Sequence, residues 1–502
     1  MSALSDLFAG FSVALTFHNL LYCLIGSIMG TLVGVLPGIG PTSAIAILLP
    51  ITSFLPPMPA IIMLAGIYYG AMYGGSTTSI LLNIPGEVAS VPTCLDGYEM
   101  AKQGRAGPAL AISAISSFFA GTISLIGLTF FAPTLADAAL VFGPPEYFAL
   151  MVFALTMVIN LSGKDIIKGF VSALIGFLIA AIGLDAVSGS ARFTFGSIEL
   201  MGGIDFISVI IGLFAVAEIL VSMEESVVAV FPGKIKGLMP TLHDLKTCLG
   251  TMVRATFIGF FLGLLPGLST GITAFMAYDV EKRVSKHPER FGKGAIEGVA
   301  APEGANNSAT SGAFVPLLCL GIPPGPALAV LLGAFMIYGL QPGPLLFEHH
   351  SGFAWGLIAS MYIGNAMLLV LNLPLVGIWV KVCKIPYAIL SPLVLIFSFI
   401  GAFSVRNSMF DIWLTIIFGG IGYLMKKLNY PSAPLVLTIV LAARLEGSLR
   451  ESLNMSMGNP SILFNRPISL GLIILAILFT FISFWARAKH LRVMEVAVED
   501  QG

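Results

Sequence analysis

Two apolar stretches of this chain break at the same Leu-Pro-Gly, and the residues around the breaks coincide. Gly30, Gly34, Pro37 and Gly38 recur as Gly259, Gly263, Pro266 and Gly267, at a constant offset of 229 positions (Gly30 to Gly259). Downstream, Ser76, Thr78 and Ser79 match Ser308, Thr310 and Ser311, and Leu82-Asn-Ile-Pro matches Leu320-Gly-Ile-Pro. Three blocks in one order mark a duplicated unit. Proline removes a backbone donor and glycine permits a turn, so each copy predicts a helix that stops inside an apolar segment.

The medium around these breaks is a bilayer. Hydrophobic residues make up 57% of the 502 and charged residues 10%, against about 25% charged in soluble domains, and the mean hydropathy is +0.96. A net charge of −1, with Lys and Arg confined to short segments between apolar runs, argues against a nucleic-acid partner. The five cysteines are odd in number and scattered, which fits neither a disulfide frame nor a zinc site. Residues 1–19 hold no Lys or Arg, so they lack the charged start of a cleaved signal peptide and are expected to form a short interfacial helix.

Apolar runs place spans at 20–36, 41–55, 60–84, 109–131, 147–161, 169–184 and 204–223. The second half gives 251–265, 269–280, 306–320 continued by 327–339, 353–380, 387–403, 411–424, 434–443 and 467–484. The expected fold is an all-α polytopic membrane protein with about 10 to 12 transmembrane helices plus re-entrant hairpins. Trp355, Trp379, Trp413 and Trp485 fall near span ends, where an indole buries its ring and hydrates its N–H. The arms flanking each Pro-Gly are short against the roughly 20 residues of a full span, which predicts hairpins with mid-membrane tips; two short full crossings would leave the parity unchanged. The Lys- and Arg-bearing loops then face the cytoplasm, as does the C-terminus. The two hairpins start from opposite sides, giving inverted repeats: 1–223 (hairpin 20–55, broken helix 60–84, four helices) and 224–502 (hairpin 251–280, broken helix 306–339, the remaining helices). That count takes 306–339 as one crossing; two would reverse everything after it.

A helix that stops inside a membrane leaves N–H and C=O groups without water, so such breaks persist where they line a cavity or bind something. Freed carbonyls can coordinate a cation, and the N–H groups opening the next arm favour an anion. This makes Pro37, Gly38, Gly40 and Thr42, with Pro266, Gly267, Ser269 and Thr270, candidate ion-binding hairpin tips. Close helix packing accounts for the spaced glycines, but not for the prolines. Ser76, Thr77, Thr78 and Ser79, with Asn306, Asn307, Ser308 and Thr310, supply neutral donors suited to a carboxylate; alternatively they cap the helices that follow. No Lys or Arg lies deep inside a span and Arg254 sits near an end. An anionic substrate would therefore rely on helix N-termini, these donors and a co-bound Na⁺ or H⁺. Glu218, Glu297 and Glu303 are candidate cation or proton partners, with Glu297 and Glu303 otherwise interfacial.

Enzyme signatures are missing from the sequence. The six histidines form no metal-ligand pattern, and no His-Glu-x-x-His, Gly-x-Ser-x-Gly or Walker sequence occurs. No cofactor is expected beyond the co-transported ion. Inverted repeats with broken helices place a substrate site near the midplane and suit alternating access. The reading is secondary active transport rather than an enzyme. A passive anion channel is the first rival, separable by continuous uncoupled currents; an intramembrane hydrolase is the second, for which no nucleophile and base can be paired.

Gly34-Val-Leu-Pro-Gly-Ile-Gly-Pro, Tyr73-Gly-Gly-Ser-Thr-Thr-Ser-Ile-Leu-Leu-Asn-Ile-Pro-Gly, Asp96-Gly-Tyr-Glu-Met-Ala-Lys-Gln-Gly-Arg-Ala-Gly and Pro302-Glu-Gly-Ala-Asn-Asn-Ser resemble the large membrane subunit of the tripartite tricarboxylate transporters over most of the chain. The resemblance implies a bacterial inner-membrane permease, driven by an ion gradient, that imports citrate-like or other carboxylates. It also implies a small four-helix membrane subunit and a periplasmic solute-binding protein as partners. Apolar Leu64 to Tyr73 aligns with the more polar Ile296 to Gly304, so the two half-sites need not be equivalent.

Overall fold

The structure, a computed structural model, describes residues 3–36, 40–52, 54–161, 165–185, 187–224, 237–383 and 387–499. Pro37 and Gly38, at the first hairpin tip, lie outside the described residues. Helix α1 (Ala3–Ala14) precedes the first broken pair, α2 (Phe17–Val35) and α3 (Pro41–Thr52), and then α4 (Pro57–Leu82). A 3-10 turn at Val88–Ser90 leads to α5 (Val91–Lys102), the 34-residue α6 (Ala106–Ala139), α7 (Pro144–Leu161) and α8 (Ile166–Ala180). A two-residue antiparallel ladder, with Gly183 opposite Arg192, and α9 (Ile198–Met201) follow. Next, α10 (Phe206–Ile210) passes through a π-helical segment, Ile211–Val216, into α11 (Ala217–Ser222).

The second half opens with the other broken pair, α12 (Leu242–Gly263) and α13 (Thr270–Val284), followed by α14 (Glu297–Leu320) and α15 (Pro326–Ile337). It continues with α16 (Pro344–His349), α17 (Ser351–Asn372), α18 (Val376–Val382), α19 (Tyr387–Arg406), α20 (Met409–Lys427), α21 (Ser432–Met455), α22 (Ile462–Asn465) and α23 (Pro467–Glu499). Among the described residues nine helices are long and apolar enough to cross a bilayer. The chain is an all-α, multi-pass membrane protein.

The two helices at the centre are not among those nine. Every residue of α4 from Pro59 to Leu81 and of α14 from Gly298 to Cys319 is buried, yet their Gly, Ser, Thr and Asn content makes them too polar to count as spans. Polar helices become tolerable in a bilayer when other helices cover every face. The cover is tight because the contacts are backbone on backbone. Along α2, Gly26, Gly30 and Gly34 face Gly66, Gly70 and Gly74 of α4; a methyl at Gly30 would lie 2.5 Å from the Ile67 carbonyl oxygen and 2.9 Å from the Gly70 Cα. In the second half Gly259 and Gly263 of α12 rest on Ala305, Ser308 and Ala309 of α14. Small residues at four-residue spacing allow this approach.

Both central helices end alike. Asn83 (φ 57) and Gly321 (φ 68) take the left-handed conformation, and the next residue's N–H reaches back to a last-turn carbonyl, Ile84 to Thr78 and Ile322 to Pro316. A proline follows in each case, ending the helix. Each Ile-Pro turn then leads to a 12-residue helix, α5 or α15.

Several expectations need correction. The long arms α2 and α12 run for 19 and 22 residues, so only α3 and α13, at 12 and 15, are short. The span placed at 434–443 extends to Met455, which brings Arg444 and Arg450 inside α21. Arg254 lies well within α12 rather than at its end, bonded to Glu281 of α13 at 2.7 and 2.9 Å. Trp413 and Trp485 are exposed, but Trp355 and Trp379 are buried, the latter donating to the Leu371 carbonyl. Helix α1 exists and packs on α17, where a methyl at Gly10 would strike the Trp355 backbone.

Candidate functional site

A cavity of about 790 Å³ lies where the two halves meet, and four chain segments wall it. Two are hairpin tips, Gly40 to Thr42 opening α3 and Gly267 to Thr270 opening α13. The other two are the Ile-Pro turns, Pro85 to Val88 leading to α5 at Val91 and Pro324 to Ala327 opening α15. Tyr68 and Met72 of α4 and Ala309 and Ala313 of α14 form the back wall. The second tip is fastened to both turns: the Gly267 N–H donates to the Pro324 carbonyl at 2.9 Å, and a methyl at Gly271 would lie 2.6 Å from a Val88 methyl. Gly267 sits at φ +81 against the Val158 backbone, so both conformation and space demand glycine there.

Four helices thus point their N-termini at one space. The first N–H groups of a helix have no partner within it, and the helix dipole makes that end positive. Ser269 caps α13 by accepting the Ile272 N–H at 3.3 Å, whereas Pro41 and Pro326 open α3 and α15 with a residue that has no N–H. Among the described residues the lining holds no Lys or Arg; its charged members are Glu87 and Glu218. Glu218 is paired with Lys426 of α20. The lining therefore presents partial positive charge from backbone beside the carboxylates of Glu87 and Glu218.

Of the residues expected from sequence, the structure brings Gly40, Thr42, Gly267, Ser269 and Thr270 to the cavity. The two polar clusters, expected to offer donors to a carboxylate or else to cap helices, neither line the cavity nor start helices. They lie in the last two turns of α4 and midway along α14, with side chains bonded inside the protein. Thr78 and Ser79 donate to the Gly75 carbonyl, Asn307 donates to Ser117 at 2.8 Å, and Ser308 donates to the Thr256 carbonyl at 2.6 Å. Thr77 is buried likewise, and Thr310 donates to the Asn306 carbonyl. Asn306 alone of this group reaches the cavity wall, through Glu87: its Nδ2 donates to Glu87 Oε1 at 3.1 Å.

Glu303 is fully buried and accepts from Thr93 at 2.5 Å and Ser76 at 2.8 Å, far from the interfacial setting that was its alternative. Glu297 begins α14 and is half-buried. Sequence reasoning passed over Glu87. The repeated Ile-Pro block that ends two residues before it was the available signal, because a turn that follows both central helices marks a shared wall.

These features define a polytopic membrane protein with an internal, anion-suited cavity between two similarly built halves. The chain belongs to the tripartite tricarboxylate transporter TctA family, whose model matches residues 20–437. It is 44% identical over 474 residues, 94% of each chain, to an Agrobacterium vitis protein described as an uncharacterized 52.8 kDa protein in the TAR-I ttuC' 3' region. A second protein from the same organism, described as an uncharacterized protein in the TAR-II ttuC' 3' region, is 43% identical over 242 residues, covering 48% of this chain and all of the relative. No solved structure matches the chain.

Proposed function

We propose that the chain is the large permease subunit of a secondary active system that imports di- or tricarboxylate anions, citrate-like in chemistry, together with Na⁺ or H⁺. The observation that carries this reading is the convergence of the N-termini of α3, α5, α13 and α15 on one cavity that has no basic side chain among the described residues. Backbone N–H groups bind an anion without the strength of a salt bridge, which suits a solute that must be released on the other side. Thr42, Ser269 and Thr270, with Gly40 and Gly267, form the contact surface; Ser76 to Ser79 and Asn306 to Thr310 support it from behind.

In this reading residues 1–223 and 224–502 are inverted repeats, and alternating access comes from moving one part of the pair against the other. The partners are a small four-helix membrane subunit and a periplasmic solute-binding protein. The location is the bacterial inner membrane with a cytoplasmic C-terminus. The test is a proteoliposome uptake screen of labelled di- and tricarboxylates, with partner subunits present and Na⁺ or pH gradients imposed. Accumulation against a gradient supports the proposal. Continuous anion currents without ion coupling would replace it with a channel.

A further inference from the structure

The cavity wall carries a group of acids that lacks positive charge. Glu87 is 8% exposed and Glu303 and Asn306 are 0% exposed. The two carboxylates flank one peptide of α4: a methyl at Gly75 would lie 2.9 Å from Glu87 Cγ, and Ser76 bonds Glu303 Oε2. One turn along α14 from Glu303, Asn306 bonds Glu87. Glu87 accepts from the N–H groups of Ala89 and Ser90 and from Asn306, and Glu303 from the hydroxyls of Thr93, Ser76 and Ser113. No Lys or Arg pairs with either among the described residues.

Among the described residues the surrounding elements supply no cation. Tyr68 and Tyr73 of α4 and Cys94 of α5 face the acids. Asp96 of α5 is taken up by the N–H groups of Lys293, Gly294 and Ala295 and the Tyr278 hydroxyl. Arg254 of α12 is paired with Glu281 of α13, and α6 faces α14 with Ser113, Ser116, Ser117 and Ser124. Two ionised carboxylates in such an interior are strongly disfavoured, and such groups take up a proton or bind a cation.

Hydrogen counting selects the proton. Ser76 Oγ lies 2.9 Å from the Tyr73 carbonyl and 2.8 Å from Glu303 Oε2, two acceptors for its single hydrogen. A proton on Glu303 resolves this, because the acid then donates to Ser76 and frees the hydroxyl for Tyr73. Asn306 Oδ1 is a buried acceptor with no donor at all. Oxygen separations of 2.5 and 2.8 Å around Glu303 are hydrogen-bond distances.

We propose that the buried pair Glu303 and Glu87, the latter on the cavity wall, shares the proton that couples transport. An ionised Glu87 on the cavity wall repels a carboxylate solute, and a protonated one admits it, so solute and proton enter together. This rests on the carboxylate-import reading above. The primary measurement uses the wild-type chain with its partner subunits in vesicles carrying a lumenal pH-sensitive dye. We expect protons to enter in fixed ratio to labelled carboxylate, and the pH profile of uptake to flatten in Glu87→Gln whatever rate remains.

A second readout is independent of transport. Infrared difference spectra of the purified protein near neutral pH should show the carbonyl stretch of a protonated carboxylic acid, absent in Glu303→Gln. Carboxylate uptake that responds only to a Na⁺ gradient, with no proton entry and no such band, would overturn the coupling while leaving the import reading intact. Wild-type vesicles that take up no carboxylate under any gradient would overturn both.

Discussion

Asp96 and Gly294 join α5 to the start of α14: the Asp96 Oδ1 accepts the Gly294 N–H at 2.8 Å and, at the same time, the N–H groups of Ala295 at 2.8 Å and Lys293 at 3.1 Å. One carboxylate thus anchors the turn that leads into the most polar helix of the core. Bonds to a charged acceptor contribute about 1.5–3 kcal/mol each, although bonds shared by one group do not add. Asp96→Ala should destabilise the protein by about 3 kcal/mol, read as a lowered midpoint of thermal unfolding in detergent. A change within error would mean the turn holds itself.

The glycine contacts between α2 and α4 predict a position-dependent response to a single methyl. Gly34→Ala drives a Cβ into the Ala71 carbonyl and should cost about 1–3 kcal/mol. Gly420→Ala in α20 meets nothing within 4 Å and should be neutral or stabilising by up to about 1 kcal/mol. Unfolding midpoints of the two variants, measured side by side, decide the matter.

Cavity filling should separate folding from transport. A Cβ at Gly40 or at Gly325 would meet no atom within 4 Å, and both residues line the cavity. Gly40→Phe and Gly325→Phe should each reduce carboxylate uptake at least about tenfold, equivalent to about 1.4 kcal/mol, while the unfolding midpoint stays near that of the wild type. Undiminished uptake in both variants would move the solute elsewhere.

The loop after α8 carries a pH-dependent contact with the end of α21. Arg450 forms a bidentate pair with Asp185 at 2.7 and 3.0 Å, and the Ser188 N–H adds a third bond. The Arg450 guanidinium first, and that N–H second, hold the Asp185 carboxyl below its ordinary value of 3.8. A depressed carboxyl stabilises the fold fully above its unfolded value and loses that contribution as pH falls through the folded one. The stability gap between wild type and Arg450→Ala should therefore be constant from neutral pH down to about 4 and shrink below it. Thermal unfolding across that range tests the sign.

Much of the site was legible because the duplicated break is a statement about backbone, and backbone breaks in a membrane need a reason. Gly267, Ser269 and Thr270 lie at the cavity where their spacing put them. The polar clusters were harder. Ser76 and Asn306 look like helix caps or ligands in a linear reading, because nothing in sequence says that α4 and α14 are covered on every face and can bury hydroxyls bonded to their own carbonyls and to each other. Arg444 and Arg450 ended a predicted span, yet α21 runs through them, since Arg450 finds Asp185 some 260 residues earlier in the chain. Glu87 was hidden for the same reason: its significance comes from Asn306, and that partner is supplied by the other half.

The interlocked glycines of α2 and α4, and those of α12 against α14, carry one mechanical consequence. Surfaces that mesh carbonyl against Cα have no lubricating layer of side chains, so neither pair can slide without prying its helices apart. Each hairpin must travel as cargo on its own central helix. The chamber is walled by both of these meshed blocks, so any shift of one past the other resizes it at once.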